Sequence, residues 1–323
     1  MSRMRGPAEA GTYVLEQPSA AQFWDREVVT PIHSSWMEHP LIRDYIATSL
    51  SGTSQRIWPL DWLQARLPGR RFRRALSIGC GAGALERDLI RRDLVAVVDA
   101  FDGSTNSLRV ARNEAEAAGM SSRIRYYAAN FNEPVLPADK YDLVLIHQAL
   151  HHVAKLEKLY RAIMRTLTRD GLLYLDEYIG PSRTDWSDEA MAPHRAVYDA
   201  LPEHVRREPR LNEPIMMDDP SEAIRSSEIM EQLRIGFDVR AVRGYGGNFL
   251  SVLYTSILAE RLDEKGMRAL IDEERRLLAG GATSYYSVIL AEPKHGMRGA
   301  LARARYFTEP KAKRIGREIR QRL

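Results

Sequence analysis

Between residues 74 and 175 short apolar runs alternate with longer stretches whose apolar positions recur at helical spacing. The runs at 75–78, 94–98, 124–128, 143–146 and 172–175 read as strands, and 84–91, 104–118 and 155–167 as the helices between them. Gly119 and Gly171 stand where a glycine closes a helix. Strands alternating with helices of this length imply βαβ units, and so a parallel sheet covered by helices on both faces. Upstream, 20–65 reads as helical and holds Trp24, Trp36, Trp58 and Trp62. Downstream, 187–207, 221–233, 248–260 and 263–278 read as helices, the second with Ser221 as its N-cap, and strands follow at 237–243 and 285–291. The expected fold class is α/β, a doubly wound, Rossmann-like sheet completed late across helical insertions.

The first strand runs directly into Gly79-Cys-Gly-Ala-Gly83. Glycines there can take positive φ and let a nucleotide-like ligand approach the main chain, while the free N–H groups of the helix that follows face the same spot. The spacing Gly79-x-Gly81-x-x-Ala84, with Asp102 downstream, also satisfies the dinucleotide fingerprint, so a nicotinamide-dependent dehydrogenase stays open on this motif alone.

Composition narrows the classes. With 323 residues, 44% of them apolar, the chain can bury a large core. No apolar run approaches the roughly 20 residues of a membrane span, and the first residues lack a signal-peptide apolar region, so a cytoplasmic location is the default expectation. The single cysteine, Cys80, excludes an intrachain disulfide and a multi-cysteine zinc site, and its place in the turn makes it a loop residue near the ligand. Net charge is +4, but residues 294–323 carry ten Lys and Arg against two acids. This basic tail reads first as a solvated helix or frayed end, and alternatively as a contact for an anionic or membrane surface. Nucleic acid is the weakest partner, since only Tyr306 and Phe307 interleave aromatics there.

At Gly79 to Gly83 the chain resembles the class I S-adenosylmethionine-dependent methyltransferases, whose first motif has the form Gly-x-Gly-x-Gly after a strand. The resemblance continues in register through Asp102-Gly-Ser-Thr, Ala129-Asn-Phe131, the strand 141–147 with Leu150-His-His152, and Asp170-Gly-Leu-Leu-Tyr-Leu-Asp-Glu-Tyr178. It implies a seven-stranded sheet and S-adenosylmethionine as cofactor. The implied cofactor residues are Gly79, Cys80, Gly81, Gly83, Asp102, Gly103, Ser104, Asn130, Phe131 and His147. Asp102 would accept from the ribose hydroxyls, with Asp99 as the structural alternative. Asn130 would meet the adenine amino group and Phe131 the ring face. Two positions depart from the family's pattern: Ser77 stands where an acid is common two before the first glycine, and Asn130 replaces the usual Asp. Both exchanges remove negative charge around a cationic cofactor. The implied organisation is an N-terminal helical lid over 1–70, a methyltransferase domain over 71–292 with an acceptor-site insertion at about 181–235, and the basic tail over 293–323.

Methyl transfer from a sulfonium is an in-line displacement, so the protein aligns the reactants and excludes water, and a base is needed only when the acceptor carries a proton. His147, at the C-terminal end of the fourth strand, is the first candidate for base or acceptor-orienting group, lining the cofactor being its other reading. Glu177 is the second catalytic candidate. Tyr178, Arg183 and Trp36, or Trp24, are the candidates facing the acceptor, against core packing or surface exposure, and Arg225 reads as surface arginine or anion clamp. His151 and His152 read as structural or capping residues. The three histidines lack a carboxylate at helical spacing, so no metal is expected. The acceptor is a small molecule or a glycan or lipid-linked compound, and the sequence does not separate oxygen, nitrogen and carbon as target. A catalytically inactive scaffold of the same fold is the alternative class.

Overall fold

A computed structural model describes residue 25 and residues 35–216 and 219–306. Seven strands form one sheet in the order β3-β2-β1-β4-β5-β7-β6. They are β1 (Phe72–Ile78), β2 (Val95–Asp102), β3 (Ile124–Ala128), β4 (Tyr141–His147), β5 (Leu167–Tyr178), β6 (Phe237–Gly246) and β7 (Tyr286–Pro293). The first five run parallel, and β7 is antiparallel to both of its neighbours. Central strands buried on both faces need apolar side chains in both directions. Ala75, Leu143 and Leu145 accordingly join one core, and Leu76, Val144 and Ile146 the other.

The helices are α1 (Pro40–Ser51), α2 (Pro59–Arg66), α3 (Ala84–Arg91), α4 (Thr105–Ala117), α5 (Leu156–Thr166), α6 (Asp188–Ala200), α7 (Ile229–Gly236), α8 (Leu250–Tyr254), α9 (Glu264–Ala279) and α10 (Gly296–Arg305). Helix α3 occupies the stretch its periodicity assigns. Helix α4 starts where Ser104 Oγ accepts from Ser107 N at 3.0 Å, and Gly119 follows it at φ 68°. Gly171 does not cap α5: the chain turns extended at Leu167, and Gly171 lies inside β5. Helix α6 stops at Ala200, short of residue 207, because Pro202 disfavours helical geometry at the residue before it. Ser221 caps no helix. Its N–H and hydroxyl both bond Asp219 Oδ1, and the helix begins only at Ile229 after a 3-10 turn at Ser226–Glu228.

The described part of the expected lid is packed into the core. Trp36, Ile42, Tyr45, Trp62 and Leu63 are buried with the sheet, and α1 rests on β6. Trp24 lies outside the described residues. Of the basic tail, 294–306 is docked: α10 buries Ala302, and Tyr306, which follows the helix, is buried with its Oη donating to Gln232 O at 2.7 Å on α7. The remainder of the tail lies outside the described residues. Among the described residues no helix is long and apolar enough to cross a membrane.

Candidate active site

A cavity of about 800 Å³ opens at the C-terminal edge of β1, β2 and β4, where ligands bind in open α/β sheets. Its lining includes Gly79, Cys80, Gly81, Asp102, Gly103, Ser104, Asn130, Phe131 and His147, together with Gln148 and His152. Gly79 has φ 74°, and a Cβ there would stand 2.2 Å from that of Ala149, so no larger residue fits. Gly83 works one step back. It caps α3 at φ 75°, and its bare face admits the Tyr126 hydroxyl, which a Cβ would meet at 2.4 Å. Cys80 is buried, and burial pushes its thiol up, which removes it as a nucleophile.

Asp102 is pinned at the cavity wall by Gly81 N and Ser104 N, one to each carboxylate oxygen, both at 2.8 Å. A carboxylate has further lone pairs to offer, so this anchoring leaves acceptors for a vicinal diol. Burial raises its pKa and the amides partly offset that. Asp99 is structural: it accepts from Tyr141 Oη at 2.9 Å and pairs with Lys140, away from the cavity lining. On the rim, Asp25 accepts from Ser104 Oγ at 2.6 Å and Asn106 N at 3.0 Å. Asn130 Oδ1 accepts from Asn132 N at 2.9 Å, a side-chain turn that shapes the loop beside Phe131.

His147 ends β4 facing the cavity, with its Nδ1 2.9 Å from Asp176 Oδ2. Asp176 also accepts from Tyr245 Oη at 2.6 Å, and that hydroxyl accepts from Gln148 Nε2 at 3.1 Å. Burial alone would lower the His147 pKa; the Asp176 carboxylate outweighs it, and the net shift is upward. An imidazole held by a carboxylate on one nitrogen, with the ring at a cavity, is the arrangement of an oriented general base. Gln148, beside it, adopts φ 50°, an uncommon conformation for a side-chain-bearing residue, and places strain at the cavity.

Other candidates stand elsewhere. Glu177 is fully buried and does not line the cavity; its carboxylate accepts from Ala149 N, Leu150 N and Tyr178 N and is held by His151 Nδ1, so it shapes the turn after β4. Tyr178 packs among His151, Tyr285 and Tyr286 and donates to Pro181 O. Arg183 donates to Asp219 O at 3.1 Å, and Trp36 packs on Tyr286. None of these three lines the cavity. Arg225 is buried between Glu157 and Glu228, neither surface arginine nor anion clamp. The carboxylate missing from the histidines' sequence spacing comes from the insertion: Glu222 lies 3.6 Å from His151 Nε2 and 3.5 Å from His152 Nε2.

Glu86 on α3 escaped the sequence reading. Its carboxyl is fully buried, and neither oxygen has a well-formed hydrogen bond. Burial pushes it up to about 7, against the pull of the Ser77 hydroxyl and of His147. An acid thus stands behind the cavity wall on the helix, close enough to act on His147 and Cys80 and beside the serine that stands where an acid is common in β1. The signal was present, since Glu86 stands three and four residues before Leu89 and Ile90 on the buried stripe.

A family model described as a methyltransferase domain matches residues 76–175, the segment that builds this cavity from β1 to β5. The Ubiquinone biosynthesis O-methyltransferase of Actinobacillus pleuropneumoniae serotype 5b is 30% identical over 118 residues, 36% of this chain and 50% of that protein. The Ubiquinone/menaquinone biosynthesis C-methyltransferase UbiE of Vibrio parahaemolyticus serotype O3:K6 is 29% identical over 223 residues, 68% of this chain and 77% of the relative. Residues 76–175 thus carry a methyltransferase domain, and these matches support a class I S-adenosylmethionine-dependent methyltransferase. The chain spans half the length of the first relative and about three quarters of the second.

Solved structures agree with the methyltransferase fold. The [4+2]-cyclase SpnF superposes with a TM-score of 0.50 at 16% identity, over 87% of this chain and 98% of that one. Haemonchus contortus phosphoethanolamine N-methyltransferase 2 gives 0.50 at 18%, over 86% and 61%. A cyclase among them shows that the fold by itself does not choose a reaction, which has to be argued from the site. S-adenosylmethionine fits this methyltransferase site on chemical grounds. The volume suits a nucleoside-sized ligand, the glycine turn admits its close approach, and Asp102 offers acceptors to a diol.

Proposed function

We propose that this methyltransferase methylates a small acceptor at an oxygen or carbon that must give up a proton, with His147 as the base and Asp176 as its orienting partner. The carrying observation is the His147–Asp176–Tyr245 chain, which ends at the same cavity as Asp102 and the glycine turn. Bound S-adenosylmethionine supplies an electrophilic methyl group on a cationic sulfur. Gly79 and Gly81 admit its approach, and Asp102 holds the diol. Asp176 keeps the His147 ring turned so that its far nitrogen can take the acceptor's proton, while Gln148 closes the wall beside it. The O- and C-methyltransferase relatives named above carry out transfers of this chemical kind, and replacing a proton at either atom calls for a base.

Isothermal titration with S-adenosylmethionine and with its demethylated product is the first test. One site per chain is expected, and Asp102→Asn should weaken it about tenfold, the loss of charge-assisted bonds to the diol. No binding at millimolar cofactor sinks the reading. With tritiated S-adenosylmethionine and a panel of phenolic, sugar and lipid-linked hydroxyl acceptors, label should enter the wild type's product and fall about 10²-fold for His147→Ala.

A further inference from the structure

We propose that His151, His152 and Glu222 form a site for a divalent transition-metal ion, of the two-histidine, one-carboxylate kind, beside the cofactor cavity. Their donor atoms, one from each residue, all lie within 4.8 Å of one another. His151 Nε2 is 3.6 Å and His152 Nε2 is 3.5 Å from the same oxygen, Glu222 Oε2. Those gaps are too wide for good hydrogen bonds. They match the edges of a tetrahedral site: an ion about 2.1 Å from each nitrogen and oxygen ligand separates its ligands by about 3.4 Å.

The far side of each ring is held as a ligating histidine requires. His151 Nδ1 meets Glu177 Oε1, and His152 Nδ1 is 3.0 Å from Ser221 Oγ and 3.4 Å from Asp219 Oδ2. Acceptors at Nδ1 fix the tautomer that leaves Nε2 for an ion and raise its basicity. Asp219 is fully buried, and its Oδ2 has no hydrogen-bond partner other than what His152 can offer. Glu177 is fixed by three backbone amides, and Ile224 N donates to His151 O at 3.1 Å, fastening the Glu222 segment onto the histidine turn. Two imidazoles thus face three carboxylates in a largely buried volume, with the Arg183 guanidinium as the other cation near Glu222.

Two nitrogens and one oxygen suit zinc, and equally iron(II) or manganese(II), with at least one coordination position left for another ligand. His152 also lines the cavity, which brings the site to the cavity wall. An oxygen of the acceptor bound there would be oriented and made more acidic before His147 takes its proton. This last role rests on the methyl-transfer reading; the site itself does not.

The test uses the full chain, freed of metal with a chelator and titrated with cobalt(II) while visible absorption is recorded, then with zinc(II) by calorimetry. One ion per chain at about micromolar affinity or tighter is expected, with the intense d–d bands of low-coordinate cobalt. Glu222→Gln and His152→Gln should each weaken binding at least tenfold with unchanged circular dichroism. Failure of the wild type to take up an ion at about 100 μM cobalt or zinc, or equal affinity in wild type and both variants, overturns the proposal. S-adenosylmethionine titrated into the same wild-type and Glu222→Gln samples reports the cofactor site independently, so each reading can fail alone.

Discussion

Asp176 and Glu177 are neighbours in β5, and each holds a histidine, yet strand side chains alternate and the two pairs end on opposite faces of the sheet. Asp176 shares its face with Tyr174 and Tyr245; Glu177 shares the other with Leu173, Leu175 and Leu150. His147 keeps 47% of its side chain exposed, on the cavity, whereas His151 keeps 7% and its partner Glu177 none. One pair therefore presents its ring to the cavity. The other locks a turn whose amides it also satisfies. Residue type alone does not assign the role; what decides it is which groups fill the remaining lone pairs.

The strongest way to break this contrast is Glu177→Gln. The carboxylate serves three amide donors and a histidine in a site with no water access, and an amide in its place turns two of its own N–H groups toward donors. Removing one member of a buried, hydrogen-bonded pair strands the rest, and a loss of about 3–5 kcal/mol in urea unfolding is expected. A loss below about 1 kcal/mol would mean that the turn does not depend on it.

The sheet and the cofactor side of this contrast were legible in the chain because they are local. Seven strand positions and helix α3 follow from periodicity along consecutive residues, and the place of Asp102 from the family resemblance that starts at the glycine turn. The partners that define each histidine are not local. Asp176 follows His147 by 29 positions and Glu222 follows His151 by 71, joined only through strand pairing and the docking of the insertion. Glu177 stands near the end of β5, where a catalytic candidate is sought, but its parity relative to Asp176 turns it onto the opposite face. Arg225 misled for a related reason: sequence shows a charge, and only the fold shows that Glu157 and Glu228 enclose it.

Asp176→Asn tests the open pair with a smaller effect. Burial lowers the His147 pKa, and the Asp176 charge raises it above its ordinary value by more. His147 works as a base only when unprotonated, so turnover should rise with pH through that elevated value. The asparagine keeps an acceptor for Tyr245 but removes the charge; the acid limb should move to lower pH and the plateau fall about 10²-fold, with S-adenosylmethionine affinity within a few-fold. A proton–nitrogen NMR titration of His147 reads the same shift without any acceptor. If the imidazole titrates identically in both proteins, Asp176 does not tune it.

Glu86→Gln is the subtlest of the three and asks to which face this third carboxyl belongs. Its charge raises the His147 pKa, but it is the weakest of the named influences, so the variant should lower the histidine's NMR pKa by less than Asp176→Asn does. Glu86 itself is pushed up to about 7 by burial. The folded value lies above the ordinary carboxyl value of about 4.3, so the protonated carboxyl's contribution to stability is complete below that pH and is lost as pH rises through about 7. Glutamine does not titrate. The wild-type-minus-variant difference in unfolding free energy should therefore decline between pH 5 and pH 8, by about 2–3 kcal/mol. A difference constant across that range would show that Glu86 does not change its protonation there, and the titrating proton would then belong to another group near His147.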